Sequence, residues 1–389
     1  MNPPANSPPN SMSADYPWTS SPLIVSAPMA KIATPRLAVA VSKAGGLGFI
    51  AAGYQSDNLE NLLKEADDLL LGEESPPPPP PADTPPTTPE QTSNEKEIKS
   101  PPKSLPVGVG FITWSASLET ALPALSRYCP AAVWLFAPPT GFSDLIPWAT
   151  KVRQATGSQT KIWVQVGSVR HAVQAVEAIE PDVVVVQGLD AGGHGLARGA
   201  SIVSLVPEVV DNLREWRLRS RPGNGKQIEV VAAGGIGDCR GVAAAVALGA
   251  GGVVLGTRFL ASVEAMVARG YQRAILEAWD GGVSTVRTTI YDKVRGIHGW
   301  PEGYDGRGLI NKTFVDHQSG LGEVENRELY REELDRGDGE GYGADGRLTT
   351  YAGTGVGLIR KVSPAGEIVR TLREGACAIL YGQHHPSKL

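Results

Sequence analysis

The stretch QGLDAGGHGLARGA, residues 187–200, places a single histidine among glycines directly after the apolar run PDVVVV. Histidine changes its charge near neutral pH, so His194 could remove a proton from a substrate or return one. A histidine used for packing normally lies among apolar neighbours, whereas this one lies where the backbone is most permissive. We therefore predict an acid–base role for His194. We also expect the glycines on either side to let its loop swing over a bound cofactor.

Other kinds of catalytic centre are not indicated. The chain has no G-x-S-x-G elbow for a serine nucleophile. Its three cysteines, Cys129, Cys239 and Cys377, are far apart and form no metal-binding spacing with histidine. They are interpreted as free thiols in a reducing compartment, and we expect no metal site.

Two glycine-rich turns predict a site for a phosphate group. Gly234 and Gly235 follow one apolar run in AAGGIGD, and Gly256 and Thr257 follow the next in LGTRFLAS. Glycines let backbone N–H groups approach an anion closely, and the Thr257 hydroxyl adds a donor. The alternative is that these glycines only form tight turns. Two such turns after neighbouring strands favour a phosphate-bearing ligand.

Several other residues are candidate contacts for a flat cofactor ring. Ala27, Pro28 and Met29 form a turn with little side-chain bulk after the first apolar run, although an ordinary turn would read the same. Gln165 is a polar residue within the apolar run KIWVQV, where it could donate to a cofactor or bond a neighbouring strand. At the end of the sixth run, Gln187 and Asp190 could likewise contact a cofactor or bond a neighbouring strand.

Eight short apolar runs alternate with helical stretches, and these elements must position the residues above. The runs lack in–out alternation, which is typical of parallel strands buried on both faces. Eight β–α units predict an α/β fold, a (β/α)8 TIM barrel, with an open doubly wound sheet as the competitor. In such a barrel the functional residues lie at the carboxyl ends of the strands. The runs are LIVSA (23–27), LGFI (47–50), PVGVGF (106–111), AAVWLF (132–137), KIWVQV (161–166), DVVVV (182–186), IEVVAA (228–233) and GGVVLG (251–256).

The organisation of the chain follows from these patterns. We predict a flexible N-terminus at 1–20, a barrel at 21–275 and a C-terminal extension at 276–383 that packs over the barrel top and side. Residues 72–104 hold six consecutive prolines and no apolar periodicity, which predicts a disordered Pro-rich insertion in the barrel. The stretch VEAMVARGYQRAILEA, residues 263–278, predicts a helix after the last strand.

Composition and the chain end narrow the function classes. The chain has 389 residues and a net charge of −5 without a basic stripe, which argues against nucleic acid as a partner. The apolar runs are strand-sized, so we expect no membrane span. Residues 384–389 form a polar tail ending in Ser387-Lys388-Leu389, which predicts a peroxisomal import receptor as partner and peroxisomal localisation, otherwise cytoplasmic.

The chain resembles the nitronate monooxygenase family, formerly the 2-nitropropane dioxygenases, and its fungal-type members in particular. The resemblance rests on SAPMA, AVSKAGGLGFIAAGY, VGVGF, KIWVQVGS, VVVQGLDAGGHG, VVAAGGIGD and GAGGVVLGTRFLAS, in family order over about residues 20–262. WPEGYDGRGLINKTF and YAGTGVGLI in the extension also look similar.

The resemblance implies FMN as cofactor in a TIM barrel without a metal. It implies oxidation of a nitronate or a neutral nitroalkane by O₂ to a carbonyl compound and nitrite. By resemblance, His194 matches the catalytic histidine, Gly193 borders the site, and Gln165 stands where the family has Lys or Gln near the ring. Met29 and its neighbours match the turn that contacts FMN, and the phosphate loops match at Gly234, Gly235, Gly256 and Thr257.

The chain departs from the family pattern at the insertion and at Gly110-Phe111, where some relatives have Asn or Gln. Two alternatives therefore stay open. The first is an FMN-dependent NAD(P)H oxidoreductase acting on a quinone or enoyl substrate, since barrel and FMN loops do not separate these enzymes. The second is a non-catalytic protein that binds a flavin or another phosphate ligand.

Overall fold

The computed structural model describes residues 11–54, 56–72, 104–220, 227–337 and 339–382. The predicted Pro-rich insertion falls, apart from Gly72 and Ser104, outside the described residues. So does the predicted peroxisomal address at residues 387–389.

The strands are numbered in chain order. They are β1 Leu23–Ser26, β2 Leu47–Gly53, β3 Leu105–Ile112, β4 Pro130–Phe136, β5 Lys161–Val166, β6 Val183–Gln187, β7 Gly193–Leu196, β8 Glu229–Ala233, β9 Gly252–Leu255, β10 Thr285–Thr288 and β11 Tyr304–Leu309.

The helices are numbered in the same way. They are α1 Ser11–Asp15, α2 Pro35–Lys43, α3 Leu59–Leu71, α4 Leu118–Tyr128, α5 Ile146–Ala155, α6 Val169–Ile179, α7 Ile202–Ser220, α8 Cys239–Ala247, α9 Thr257–Leu260, α10 Arg269–Glu277, α11 Gly281–Ser284, α12 Ile290–Arg295, α13 Lys312–Gln318, α14 Glu323–Asp335 and α15 Ala365–Tyr381.

A closed parallel barrel forms the centre of the molecule. Within the described residues it has eight strands in the order β1-β2-β3-β4-β5-β6-β8-β9, and β9 pairs with β1 to close it. All eight predicted strands are confirmed, and the open doubly wound sheet is wrong. Ile24 and Val25, neighbours in β1, are both fully buried, because one face of the strand meets the barrel interior and the other meets the helices.

The lower end of the barrel is closed by the N-terminal segment. Tyr16 is fully buried and Met12 nearly so, and both pack with the interior tryptophans. The Trp163 indole donates a hydrogen bond of 2.7 Å to the Tyr16 hydroxyl. The structure therefore differs over residues 12–20 from the predicted flexible N-terminus at 1–20, because apolar side chains there fill the barrel floor.

The C-terminal helix α15 completes the ring of helices around the barrel. It packs between α8 and α2, and its apolar face joins the layer between strands and helices. The Glu264 carboxylate accepts a hydrogen bond of 2.8 Å from the Ala365 N–H at its start. The structure thus differs from the predicted barrel boundary at residue 275, because the extension lies between the eighth strand and the eighth helix.

The helix predicted over residues 263–278 begins only at Arg269. The preceding residues are used for pairing instead. Ser262 forms a parallel bridge with Ser363, and the Val263 N–H donates to the Ser363 carbonyl at 3.2 Å. The Met266 N–H donates to the Ile32 carbonyl at 3.3 Å. These long-range hydrogen bonds take the place of the helical ones in the residues before Arg269.

A second, antiparallel sheet covers the upper end of the barrel. It has the order β10-β11-β7, so two strands of the extension pair with a strand that follows β6. The predicted packing of the extension over the barrel top is thus seen in the structure. Arg287 and Arg307 of this sheet both donate to the Leu189 carbonyl, at 3.4 and 3.1 Å, and so fasten it to the loop after β6.

The three cysteines are free thiols, with Cys129 buried. Within the part of the chain that the structure describes, no helix combines the length and apolar character that a membrane crossing requires.

Candidate functional site

His194 lies in the strand β7, at the carboxyl end of the barrel. It pairs with Gly306 of β11, and its carbonyl accepts a hydrogen bond of 3.0 Å from the Gln187 amide. The expectation of a swinging loop is therefore wrong, because a neighbouring strand takes up the backbone hydrogen bonds. Gly195 serves close packing, because a Cβ there would lie 2.3 Å from the Gln187 side chain.

The His194 ring is held by a buried carboxylate. Its Nε2 lies 2.8 Å from Oδ2 of Asp292 in α12, and both side chains are less than a tenth exposed. The other carboxylate oxygen, Oδ1, accepts a hydrogen bond of 3.1 Å from the Tyr351 hydroxyl. Arg295 in turn donates to that hydroxyl at 3.2 Å. The four side chains form one continuous network.

The Tyr351 hydroxyl stays protonated in this network. Burial raises the pKa of Tyr351 well above its ordinary value, and the nearby Asp292 raises it further against the opposing effect of Arg295. A protonated hydroxyl can donate to only one acceptor. That acceptor is Asp292, since Arg295 has only donors to offer.

One face of the His194 ring is covered by Trp300. The two rings are parallel within 8°, with centroids 3.9 Å apart. Trp300 also contacts Tyr54, Trp114, Phe136 and Tyr304, and we call these five residues the aromatic cluster. It draws together the ends of β2, β3 and β4 and the extension. The cluster limits access of water to one side of the histidine.

The aromatic cluster also carries polar groups. Burial raises the pKa of the Tyr54 and Tyr304 hydroxyls to about 12, so both stay neutral donors at working pH. The Trp114 indole N–H is buried and has no hydrogen-bond partner within the described residues. A buried unsatisfied donor costs free energy, so a ligand oxygen at this position would stabilise the site.

The turn after β1 lies beside the last strand of the barrel. Pro28 packs directly on Gly110 of β3, where a Cβ would approach the proline ring to 2.3 Å. A Cβ at Gly256 would meet only the Ala27 methyl and the Met29 sulfur, both at 3.8 Å. The departure at Gly110 thus has a steric reason. The small residues leave room at the barrel mouth.

The two predicted phosphate loops lie side by side. Gly234 and Gly235 have φ angles of 105° and 75°, which favour glycine. The backbone N–H groups of Gly235, Gly256 and Thr257 have no hydrogen-bond partner within the described residues. The Thr257 hydroxyl accepts a hydrogen bond of 3.0 Å from the Gly353 N–H, which leaves its own proton free to donate.

The remaining predicted residues have protein partners. The Gln165 oxygen accepts a hydrogen bond of 3.1 Å from the Trp134 indole, so this amide bonds a barrel neighbour, and its amide nitrogen has no partner within the described residues. Asp190 accepts from the Thr354 hydroxyl at 3.1 Å and from the Thr354 N–H at 2.9 Å. Asp190 therefore anchors the extension. Gly193, with φ of 69°, lies beside His194 in open space.

Within the described ranges, no group of three or more His, Cys, Asp or Glu side chains is placed to hold a metal ion.

Comparison with known proteins identifies the family. The family profile "Nitronate monooxygenase" matches residues 17–70 and 145–375, more than half of the chain. The chain belongs to the nitronate monooxygenase family. The resemblance stated from the motifs is therefore confirmed, and so is the assignment to an oxidoreductase family.

Two fungal relatives cover nearly the whole length. A nitronate monooxygenase of Metarhizium robertsii is 43% identical over 371 residues, 95% of this chain and 95% of that protein. A nitronate monooxygenase of Neurospora crassa is 39% identical over 378 residues, 93% of this chain and 90% of that protein. These matches do not favour the two alternatives, the NAD(P)H oxidoreductase and the non-catalytic binding protein.

A solved structure supports the fold. The nitroalkane oxidase of Streptomyces ansochromogenes superposes with a TM-score of 0.67, at 23% identity, over 96% of this chain and 100% of that chain. At this identity the likeness concerns the (β/α)8 barrel and its extension alone.

Sequence reasoning missed the residues that this family member's extension brings to His194. Trp300, Tyr304 and Tyr351 lie in the two stretches that look similar to fungal-type members, so the motif itself was a usable signal. Asp292 has no such signal in the sequence, because DKV in α12 is typical of an ordinary exposed helix turn. Its burial follows only from the pairing of β10 and β11, which places α12 against the histidine.

Proposed function

We propose that the chain is an FMN-dependent nitronate monooxygenase. It oxidises a nitronate or a neutral nitroalkane with O₂ to a carbonyl compound and nitrite. The observation that carries this proposal is the buried His194–Asp292 pair at the carboxyl end of the barrel, next to two loops with unpaired N–H donors. The family of the chain and its fungal relatives support the same reaction.

The residues present fit a flavin mononucleotide. A phosphate monoester needs several convergent donors, and the N–H groups of Gly235, Gly256 and Thr257 together with the Thr257 hydroxyl provide them. The turn of Ala27, Pro28 and Met29 would lie against the ring. Little side-chain bulk stands between that turn and Gly256, where even an added Cβ would have ordinary contacts.

The other predicted contacts take lesser roles. The Gln165 amide nitrogen is available to a ring oxygen, since only its carbonyl oxygen is bonded to Trp134. Gly193 borders the site next to His194, with open space around it. Asp190 acts indirectly, because both of its hydrogen bonds go to Thr354 of the extension.

When bound, FMN would supply the redox chemistry between substrate and O₂. The chain positions the substrate and moves its proton. His194 removes the α-proton of a neutral nitroalkane, and the negative charge of Asp292 at 2.8 Å stabilises the resulting imidazolium. A nitronate has already lost that proton, so its oxidation needs no base from His194. The Trp114 indole N–H is free for a nitro oxygen, and the aromatic cluster excludes water.

Anaerobic mixing of the purified protein with a simple alkyl nitronate tests the proposal. Loss of the oxidised-flavin absorbance, followed by nitrite release on admitting O₂, is the expected result. A yellow protein whose spectrum is unchanged by nitronate would refute the reaction. A protein that binds no added FMN would refute the cofactor.

His194→Asn separates the two substrates. General base catalysis contributes about 10²–10⁴-fold, so turnover of the neutral nitroalkane should fall by that factor. Turnover of the nitronate should change far less, because no proton has to be removed. Full turnover of the neutral nitroalkane by this variant would show that another group is the base.

A further inference from the structure

We infer that Asp292 is a positioning residue that fixes the tautomer of His194 and thereby makes Nδ1 the atom that takes the substrate proton. This inference rests on the proposed function for its chemistry, but not for its geometry. It adds a residue from the extension to the reaction, and it adds a definite proton path.

The hydrogen-bond inventory of the network determines the tautomer. A carboxylate only accepts, so Nε2 of His194 must carry the hydrogen that points at Asp292 Oδ2, 2.8 Å away. Neutral imidazole has one N–H, and Nδ1 is then a lone-pair acceptor. Nδ1 has no hydrogen-bond partner within the described residues, so this lone pair is available to a substrate.

The orientation of Asp292 is set from its other side. Tyr351 donates to Oδ1, and Arg295 donates to the Tyr351 hydroxyl oxygen, so the direction of each bond in this row is fixed. The Arg295 guanidinium also lies over the Tyr351 ring, 5.6 Å from its centroid. Together Arg295 and Tyr351 hold the Asp292 carboxylate pointed at the histidine.

The proton step balances within this arrangement. The C–H bond at the α-carbon breaks, its electron pair stays on the substrate as the nitronate, and a new N–H bond forms at Nδ1. His194 is then an imidazolium between the substrate and Asp292. The stacked Trp300 ring, parallel to His194 within 8°, keeps the imidazole in the plane that serves both bonds.

Asp292→Asn is the direct test, because the hydrogen bonds from Arg295 through Tyr351 also determine the orientation of the new amide. Tyr351 must still donate, so the carbonyl oxygen of the substituted amide side chain faces Tyr351 and its N–H₂ group faces His194. Nε2 of His194 then has to accept, and the hydrogen moves to Nδ1. The variant therefore presents a donor where the wild type presents a base.

The first readout is the tautomer itself, which needs neither FMN nor turnover. Two-bond ¹H–¹⁵N correlation spectra of ¹⁵N-histidine-labelled protein, at a pH where the imidazole is neutral, distinguish the two nitrogens. The His194 signals are assigned by their loss in His194→Gln. We expect the Nε2–H form in the wild type and the Nδ1–H form in Asp292→Asn. The Nδ1–H form in the wild type would overturn the inference.

The second readout is the ratio of two activities. Asp292→Asn should lower kcat/KM for a neutral nitroalkane by about 10²-fold or more, the usual weight of a general base. It should lower kcat/KM for the matching nitronate by less than about fivefold, since that substrate needs no base. Equal losses toward both substrates would show a merely structural role and overturn the inference.

Two further variants serve as comparisons for Asp292→Asn. Tyr351→Phe removes one hydrogen bond to Asp292 but keeps the ring and the tautomer, so we expect a loss of about threefold to tenfold, confined to the neutral nitroalkane. Asp316→Asn makes the same acid-to-amide change in an ion pair with Arg347 elsewhere in the extension. It should alter neither the ratio nor the tautomer, and a change in either would refute the assignment to Asp292.

If the wild type oxidises no nitronate, the proposed function fails, while the tautomer spectra still decide the role of Asp292.

Discussion

Gly192 offers a sharp test of how the extension is held on the barrel. A Cβ at this position would lie 2.4 Å from the backbone atoms Ala352 C and Gly353 N. Backbone cannot rotate away as a flexible side chain can, so Gly192→Ala must push the extension off the loop after β6. The neighbouring Gly193→Ala is the matched control, because a Cβ there meets nothing within 4 Å and only the φ of 69° is unfavourable.

The expected size follows from the contacts that the shift breaks. An ordinary contact begins near 3.4 Å, so residues 352–354 must move by about 1 Å. That movement would lengthen three hydrogen bonds of 2.9–3.1 Å, from Gly353 to Thr257 and from Thr354 to Asp190, beyond bonding distance. At about 1 kcal/mol each, they amount to about 3 kcal/mol. Alanine at a left-handed φ costs about 1 kcal/mol in the control.

Urea unfolding followed by circular dichroism measures the difference. We expect the free energy of unfolding to be about 2 kcal/mol lower in Gly192→Ala than in Gly193→Ala. The Gly192 variant should also bind FMN about tenfold more weakly, since Thr257 loses its partner from the extension. Equal stabilities of the two variants would refute the argument, because the extension would then yield without breaking these bonds.

Three further predictions concern the aromatic cluster, the tyrosines and the chain end. Trp114→Phe should raise KM for a nitronate about tenfold or more with little change in kcat, because a charged oxygen loses its donor. Steady-state kinetics measure this, with Trp148→Phe, a tryptophan of α5 outside the aromatic cluster, as control. Equal KM values in the two variants would contradict the prediction. The pKa of Tyr54 and Tyr304, raised to about 12 in the folded protein, means that the stability they contribute is present below about pH 10 and is lost as pH rises toward 12. Urea midpoints across this range should fall, and should fall less in the double Phe variant. An N-terminally tagged fluorescent fusion should be peroxisomal and become cytosolic when residues 387–389 are removed; unchanged distribution would refute the predicted address.

The barrel could be predicted because its signals are local. Each barrel strand is a short apolar run, such as VVVVQ at Val183–Gln187, and helices alternate with these runs along the chain. The turns of the phosphate loops could also be predicted, from their glycines. Gly234 and Gly235 take left-handed φ angles that other residues avoid, so a glycine pair in the sequence indicates this backbone conformation directly.

The upper half of the site could not be predicted in the same way. The glycines on either side of His194 predict a mobile loop, and GGHGL also lacks the β-branched and aromatic residues typical of strands. It is a strand because Tyr304–Leu309 pairs with it from far along the chain. Glycine there serves close approach of backbones: a Cβ at Gly353 would lie 2.5 Å from the Asp190 carbonyl. Such packing depends on two segments that are distant in the sequence, so it cannot be predicted from either segment alone.

The path of the chain explains how a loop-rich extension can hold the residues around His194 in place. It leaves the barrel at Ser262 and returns at Ser363, and these two buried residues pair side by side. The helix α15 that follows fills the eighth position of the barrel wall, with its first N–H bonded to Glu264. The barrel therefore cannot complete its wall unless the extension has folded and brought its end back. Asp292, Trp300 and Tyr351 lie within this closed excursion, so local opening at the site has to work against the same contacts that close the barrel.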